Sequence, residues 1–431
     1  MIFQSPKGTY DILPIDQPYW EKLRKAIQLT VDKLGFLRID PPIIENSRIY
    51  IRGIGANTDI VEKEMFFLKK TESKESNLVL RPEFTAGIVR AYLQNGLVNY
   101  SHPLKLWYEG PIFRHEQPQA GRFRQSYQFG LEVFGGSSPI VEALIIKGIF
   151  LILNKVGLKG ITLKINSLGC NECRENFRQQ LIPYYKKHQK EICADCQRRL
   201  KKNPLRVLDC QSPKCQRVIA GAPKITDYLC SECRNHFQSV LELLDEINIP
   251  YSLDEHLVRG LDYYNRTVFE FVPEEKIGEK QLSIGGGGRY DELVKILGGK
   301  NTSAIGAAIG MDRIISLMKK QKIKTSNWQP APMISIISIG KTAQKKALSI
   351  YFELLKKGFS IGESFARESL KSQLRAADKS GAKIALILGQ QEVNNETILI
   401  RELDSGIQEE IPLIKLEKEI KKRLKIKKRL K

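Results

Sequence analysis

The chain has 431 residues, 42% hydrophobic and 27% charged, the balance of a globular protein long enough for more than one core rather than of a fibrous or disordered chain. No apolar run reaches the length of a membrane span, and MIFQSPKGTYDILP at the N-terminus lacks a basic stretch followed by an apolar one, so neither a membrane protein nor a secreted one is expected and the chain is read as cytoplasmic. A net charge of +21 suits a polyanionic partner, and five histidines without a His-Glu-x-x-His pattern argue against a zinc peptidase.

Residues 17–34 place Trp20, Leu23, Ile27, Val31 and Leu34 at helical spacing, with Gly35 as the stop. FLRIDPP reads as a short strand ended by Pro41 and Pro42, and strands are expected in EMFFLKK and NLVLRPE. TAGIVRAYLQNG is a helix closed by Gly96. LKLWYEGPIFRHE and SYQFGLEVFGG are two strands around a polar loop, and SPIVEALIIKGIFLILNKVG is a long apolar helix. Residues 166–250 are helical, lysine-rich and contain all eight cysteines. Strands return at 267–272 and 281–284, followed by a glycine run, a helix, a glycine-rich strand and a helix. From 331 strands alternate with helices, the pattern of a small α/β unit with a partly parallel sheet. The last stretch, KLEKEIKKRLKIKKRLK, carries ten basic and two acidic residues, a net +8. It is read as a frayed, solvated tail, with a basic helix through Leu416, Ile420 and Leu424 as the alternative. The expected divisions are 1–165, 166–250, 251–325 and 331–431.

Five segments carry residues suited to chemistry. In YEGPIFRHEQPQAGRFRQSYQFGLEVFG, Arg114 and Glu116 share one face, as do Gln128 and Glu132, so an antiparallel pair would present all four on one floor beside a loop of Gln117, Gln119, Arg122 and Arg124. In VLRPEFTAG, Glu83 and Thr85 stand between a strand and a helix, where Thr85 as an N-cap and Glu83 as an exposed charge are the plainer reading. LVRGLDYYNRTVFEF sets Arg259, Asp262, Tyr263 and Tyr264 before a strand, a costly group to bury without a partner. SIGGGGRYDELV lacks both the Walker and the dinucleotide spacing. Its glycines suit close backbone approach to a ligand and, equally, a tight strand-to-helix turn. Arg313 in AAIGMDRI lies early in a helix, where a cation points to a nearby anion.

Taken together, FRHE…GRFRQSYQ, AAIGMDRI, LVRGLDYYNRTVFEF and GGGGRYDELV resemble the histidyl-tRNA synthetases, a family of class II aminoacyl-tRNA synthetases, over nearly the whole chain. The resemblance implies an α+β fold: an antiparallel sheet flanked by helices, a helical insertion and a C-terminal α/β anticodon-binding domain. It implies activation of L-histidine with ATP and transfer to tRNA(His), with Mg²⁺ accompanying the nucleotide. It also implies a homodimer whose contact is formed by the first helix and the strand ending at Pro41 and Pro42. Arg114 and Arg313 would hold phosphates, and Glu116 would meet the adenine side, with Phe123 or Phe129 stacked on the ring. Glu83, Thr85, Gln128 and Glu132 would bind the amino and carboxylate region of histidine. Arg259 would span its carboxylate and the α-phosphate, Tyr263 and Tyr264 would close on the imidazole, and Gly285, Gly286 and Gly287 would line the floor. Gln117 departs from the family, which usually has arginine there.

The cysteines fall as Cys170/Cys173, Cys193/Cys196, Cys210/Cys215 and Cys230/Cys233, spacings that in a cytosolic chain point to structural zinc rather than disulfides. Four pairs would fill two four-thiol sites, or one of the sites could be partial. A shared site is assigned to the outer pairs, Cys170, Cys173, Cys230 and Cys233. Two other functions compete. One is a non-catalytic paralogue similar to the regulatory subunit of ATP phosphoribosyltransferase, which would lack the anticodon-binding unit. The other is a zinc-containing nucleic-acid-binding protein, which would leave the glycine and arginine segments unexplained.

Overall fold

The computed structural model describes residues 2–56, 58–69, 77–119, 121–277, 282–327 and 331–424. The chain forms two compact units, residues 1–325 and 326–431. No helix among the described residues is long and apolar enough to cross a membrane.

The first unit is built on an eight-stranded sheet of β1 (Leu37–Arg38), β2 (Leu104–Phe113), β3 (Gln125–Phe134), β4 (Ile161–Ser167), β5 (Tyr251–Leu253), β6 (Asn265–Pro273), β7 (Gly285–Arg289) and β8 (Ala304–Gly310), in the spatial order β1-β2-β3-β8-β7-β6-β4-β5. Every pairing is antiparallel except the two edge pairs, β1 with β2 and β4 with β5. One face is sealed by the helices Gln17–Lys33, Ile140–Val156 and Met311–Lys320. Their apolar stripes, including Trp20, Ile27, Ile146, Leu153 and Ile314, pack with Phe129, Leu131 and Phe269 of the strands. That core gives the strands alternating burial and sets their register. The opposite face meets the helices Ser47–Ile54 and Thr85–Gln94 through Tyr50, Phe84, Ile88 and Tyr92.

The helix closed by Gly96 ends with that residue at φ 65°, and the long apolar helix ends on Gly157 at φ 95°, both in the left-handed region that glycine enters freely. The strand expected in EMFFLKK shrinks to Phe66–Phe67, because Ile60–Glu64 forms a helical turn that uses the backbone ahead of it. Helices Asn171–Lys187, Ala194–Lys202, Pro213–Ala220 and Ser231–Glu246 carry Cys173, Cys196, Cys215 and Cys233, with Cys170, Cys193 and Cys230 just ahead of three of them and Cys210 in a loop.

The glycine run is a correction. It is not a turn between a strand at 281–284 and a helix: the glycines are themselves the strand, β7, and residues 282–284 lie outside it, with residue 281 outside the described residues. A Cβ at Gly287 would stand 2.0 Å from the carbonyl oxygen of Gly306, and one at Gly286 would stand 2.2 Å from that of Phe269. Strands on both sides press too closely for any side chain at these positions.

The second unit carries a five-stranded sheet in which Ile334–Ser338 runs parallel to its neighbours Ile361–Glu363 and Ile384–Leu388, with Thr397–Glu402 and Gln408–Pro412 added antiparallel beyond the central Ile384–Leu388. The start of the basic stretch is helical, not frayed: Leu416–Arg423 is a helix with Leu416 and Ile420 buried in that unit's core. Its remainder, 425–431, lies outside the described residues.

Candidate active site

A cavity of about 190 Å³ opens where β2, β3, β7 and β8 meet the loop that precedes β6. Arg114, Arg259 and Arg313, drawn from three distant segments, all line it. Each has an anchor that leaves donors free. Arg114 donates from Nε to the Pro82 carbonyl at 2.8 Å. Arg313 donates from Nε to the Gly121 carbonyl at 2.9 Å and from Nη1 to that of Ser283. Arg259 pairs with Glu270, and its guanidinium carbon lies 5.7 Å from the Tyr264 ring centroid. Arg114 and Arg313 stand close enough to repel one another, while Arg259 is held by Glu270. Burial, with the positive charges of Arg122 and Arg114 nearby, pulls Arg313 down to about 10. A bound anion would relieve that penalty.

Glu83, Thr85, Glu116, Phe123, Gln128, Tyr263, Tyr264 and Gly285 also line the cavity. Glu83 is buried rather than exposed, and it, not Thr85, caps the helix Thr85–Gln94: its two oxygens accept from the backbone N–H of Thr85 at 2.6 Å and of Ala86 at 2.8 Å. Thr85 instead donates its hydroxyl to Glu132 at 2.8 Å. Glu116 makes only loose ion pairs, 3.8 Å to Arg114 and 3.7 Å to Arg122. Phe123 lies 4.8 Å from the Tyr10 ring. Gln128 Oε1 and Arg259 Nε are both buried without a hydrogen-bond partner among the described residues. Two unsatisfied polar atoms of opposite sense facing one cavity mark a place for a polar ligand.

Five residues singled out in the sequence stand elsewhere. Glu132 is 1% exposed and lies behind Thr85, where it also accepts from the Tyr290 hydroxyl. Gly286 and Gly287 are held within the sheet and do not border the space, though a side chain at Gly286 would come within 2.9 Å of Arg259 Nη1. Phe129 is fully buried in the core behind the sheet, because alternation along β3 turns it away from Gln128. Asp262, a near neighbour of Arg259 in the sequence, faces a second cavity of about 410 Å³ that shares Arg259, Leu261 and Tyr264 with the first. Asp312 was missed: it lines the site, accepts from the Tyr127 backbone N–H at 2.6 Å and is bonded by the Tyr10 hydroxyl. Its place beside Arg313 was the only hint.

The cysteines form two groups. The sulfurs of Cys170, Cys173, Cys230 and Cys233 lie within 4.8 Å of one another, as do those of Cys193, Cys196, Cys210 and Cys215.

Comparison with known proteins gives these arrangements relatives. The family profile described as histidyl-tRNA synthetase matches residues 8–314, and that of the anticodon binding domain matches 333–423. The chain is 42% identical to the histidine–tRNA ligase of Dehalococcoides mccartyi, covering 98% of this chain and 100% of the relative. It is 40% identical to that of Acetivibrio thermocellus, covering 96% and 98%. The apo histidyl-tRNA synthetase of S. aureus superposes with a TM-score of 0.79 at 30% identity over 97% of this chain and all of the other. An ATP phosphoribosyltransferase regulatory subunit/histidyl-tRNA synthetase from Bacillus halodurans shares the fold with a TM-score of 0.62 at 18% identity.

Proposed function

The chain belongs to the histidyl-tRNA synthetase family, and we propose that the cavity shared by Arg114, Arg259 and Arg313 is where it activates L-histidine with ATP. The activity is that of a histidine–tRNA ligase, which uses ATP and charges tRNA(His). The match to an anticodon-binding domain over 333–423 separates it from a regulatory paralogue without that unit, and the full-length relatives separate it from a zinc protein lacking enzymatic activity.

In the first step a carboxylate oxygen of histidine attacks the α-phosphorus and pyrophosphate leaves. In the second, a terminal ribose hydroxyl of the tRNA attacks the carbonyl and AMP leaves. The substrate supplies its own nucleophile, so the protein's work is positioning and charge neutralisation. Arg114 and Arg313 take the phosphates from two sides. Arg259, with its unpaired Nε, bridges the histidine carboxylate and the α-phosphate, where negative charge grows in the displacement. Glu83 and the Gln128 oxygen receive the ammonium group, and Thr85 is aimed by Glu132, which supports the site from behind. Tyr263 and Tyr264 enclose the imidazole. Phe123 stacks on the adenine beside Glu116, and Gly285 leaves room at the floor. Glu116, the carboxylate least engaged by neighbours, suits a hard cation, and Mg²⁺ carried in by ATP would neutralise triphosphate charge there.

The outer cysteines, Cys170, Cys173, Cys230 and Cys233, hold a structural zinc. A homodimer forms through the first helix and β1, a sheet edge beside which Leu37, Ile43 and Ile44 are exposed. The protein works in the cytoplasm, where its substrates are.

The observation that carries this reading is the convergence of three guanidinium groups and two unsatisfied polar atoms on one cavity. The test is histidine-dependent exchange of labelled pyrophosphate into ATP. Arg259→Ala should lower it about 10²-fold or more with the fold intact. Unchanged exchange in that variant would remove Arg259 from the site.

A further inference from the structure

We propose that the inner cysteines, Cys193, Cys196, Cys210 and Cys215, form a second four-thiolate zinc site, whose ion fixes the segment that holds the backbone of Arg259.

A tetrahedron of sulfurs about 2.3 Å from zinc has edges of about 3.8 Å. Cys193 Sγ and Cys210 Sγ are 3.8 Å apart, and all four sulfurs lie within 4.8 Å of one another. Three of the four are buried, and none is in a disulfide. Cys193 precedes the helix Ala194–Lys202 and Cys196 sits in its first turn, so the Cys-x-x-Cys spacing turns both sulfurs to one point. The Cys193 backbone N–H points at Cys215 Sγ at 3.2 Å, as the Cys230 N–H points at Cys173 Sγ at 3.1 Å in the outer set. Such donors stabilise thiolates. The two sets use all eight cysteines, with none left over. Binding is a simple exchange: four S–H groups give their protons to water as four S–Zn bonds form, and no oxidant or reductant takes part.

The connection to the active site lies between Cys196 and Cys210. Asn203 donates to Asp262 Oδ1 at 2.9 Å. Arg206, 6% exposed, donates from Nη1 to the Arg259 carbonyl at 3.2 Å and from Nη2 to Asp59 at 3.2 Å. Arg199 meets the same Asp59 oxygen at 2.7 Å. An ion that ties Cys196 to Cys210 closes this segment into a loop and removes freedom it would otherwise have. Asn203 and Arg206 are therefore positioning residues. The metal claim stands apart from the reading of the cavity above, whereas its effect on Arg259 rests on that reading.

The experiment uses the full chain purified without chelator. Metal analysis should find about two zinc ions per chain. The double variant Cys196→Ser/Cys210→Ser should retain about one, and raise the KM for histidine in pyrophosphate exchange by about 10–100-fold. Arg206→Ala should raise that KM in the same direction while keeping its full zinc. Should the double variant fail to fold, cobalt reconstitution of the native chain serves instead, with thiolate-to-cobalt charge-transfer bands expected at about two equivalents. About one metal per chain, with Cys196 and Cys210 open to alkylation or found as disulfides, would overturn the site. Loss of one zinc with an unchanged KM would overturn its link to Arg259, while leaving the cavity's own test by Arg259→Ala untouched.

Discussion

Glu132 sits fully enclosed between Thr85 and Tyr290, and burial lifts its carboxyl to about 8, with the charge of Glu83 adding to the effect and the hydrogen bonds from Tyr290 and Thr85 opposing it. The native carboxyl therefore keeps its proton well above the ordinary value of 4.5 at which an unfolded glutamate releases it. Between those two values the native state binds more protons, so stability must fall as pH rises through that window. Urea unfolding between about pH 5 and pH 8 should show this decline, at most a few kcal/mol, and Glu132→Gln should flatten it. At the same scale Arg289 is a structural arginine in a segment picked out for its glycines. It is 1% exposed and grips Glu142 through two bonds of 2.6 and 2.8 Å, while His236 meets the same carboxylate at 2.7 Å. Arg289→Ala would strand a buried charge and should cost about 3–5 kcal/mol in denaturant unfolding.

At the scale of elements, β7 shows how a glycine run can be a strand in a crowded sheet. Gly286→Ala would push a methyl against the Phe269 carbonyl and the Arg259 guanidinium at once. It should destabilise the chain by about 1–3 kcal/mol and reduce pyrophosphate exchange, measured by urea titration and exchange rate on the same preparation. β2 and β3 were legible because alternation between an apolar and a polar face is local, though β2 ends at Phe113, ahead of Arg114 and Glu116, and alternation alone does not choose the register that pairs Gly110 with Gln128. The glycines of β7 were not, since glycine has the same composition signal in a turn and in a strand pressed from both sides. The helix Ser47–Ile54 also escaped notice, being short and bounded by no stop signal beyond Gly55.

For the whole molecule the net charge of +21 suits a polyanionic substrate such as tRNA. Affinity for tRNA(His) should weaken about 10²-fold or more between about 50 and 200 mM salt, as counterion release requires. Pyrophosphate exchange, which needs no tRNA, should change far less over the same range. Filter binding and exchange assays run in parallel would separate the two, and equal salt dependence would argue that the basic surface is not the tRNA contact.

β1, β2, β3 and the apolar stripes that cover the sheet could be read from the linear sequence, because periodicity is a local property, whereas β4, β5 and β7 could not. Which side chains share a space could not. Asn203 and Arg206 find their partners 59 and 53 positions away, and nothing near them in the chain announces it. Phe123 and Phe129 look equally fit to stack on a base until the sheet packs and turns one into the core. Tertiary packing made these choices, since which face of a strand is buried depends on what the rest of the chain lays against it.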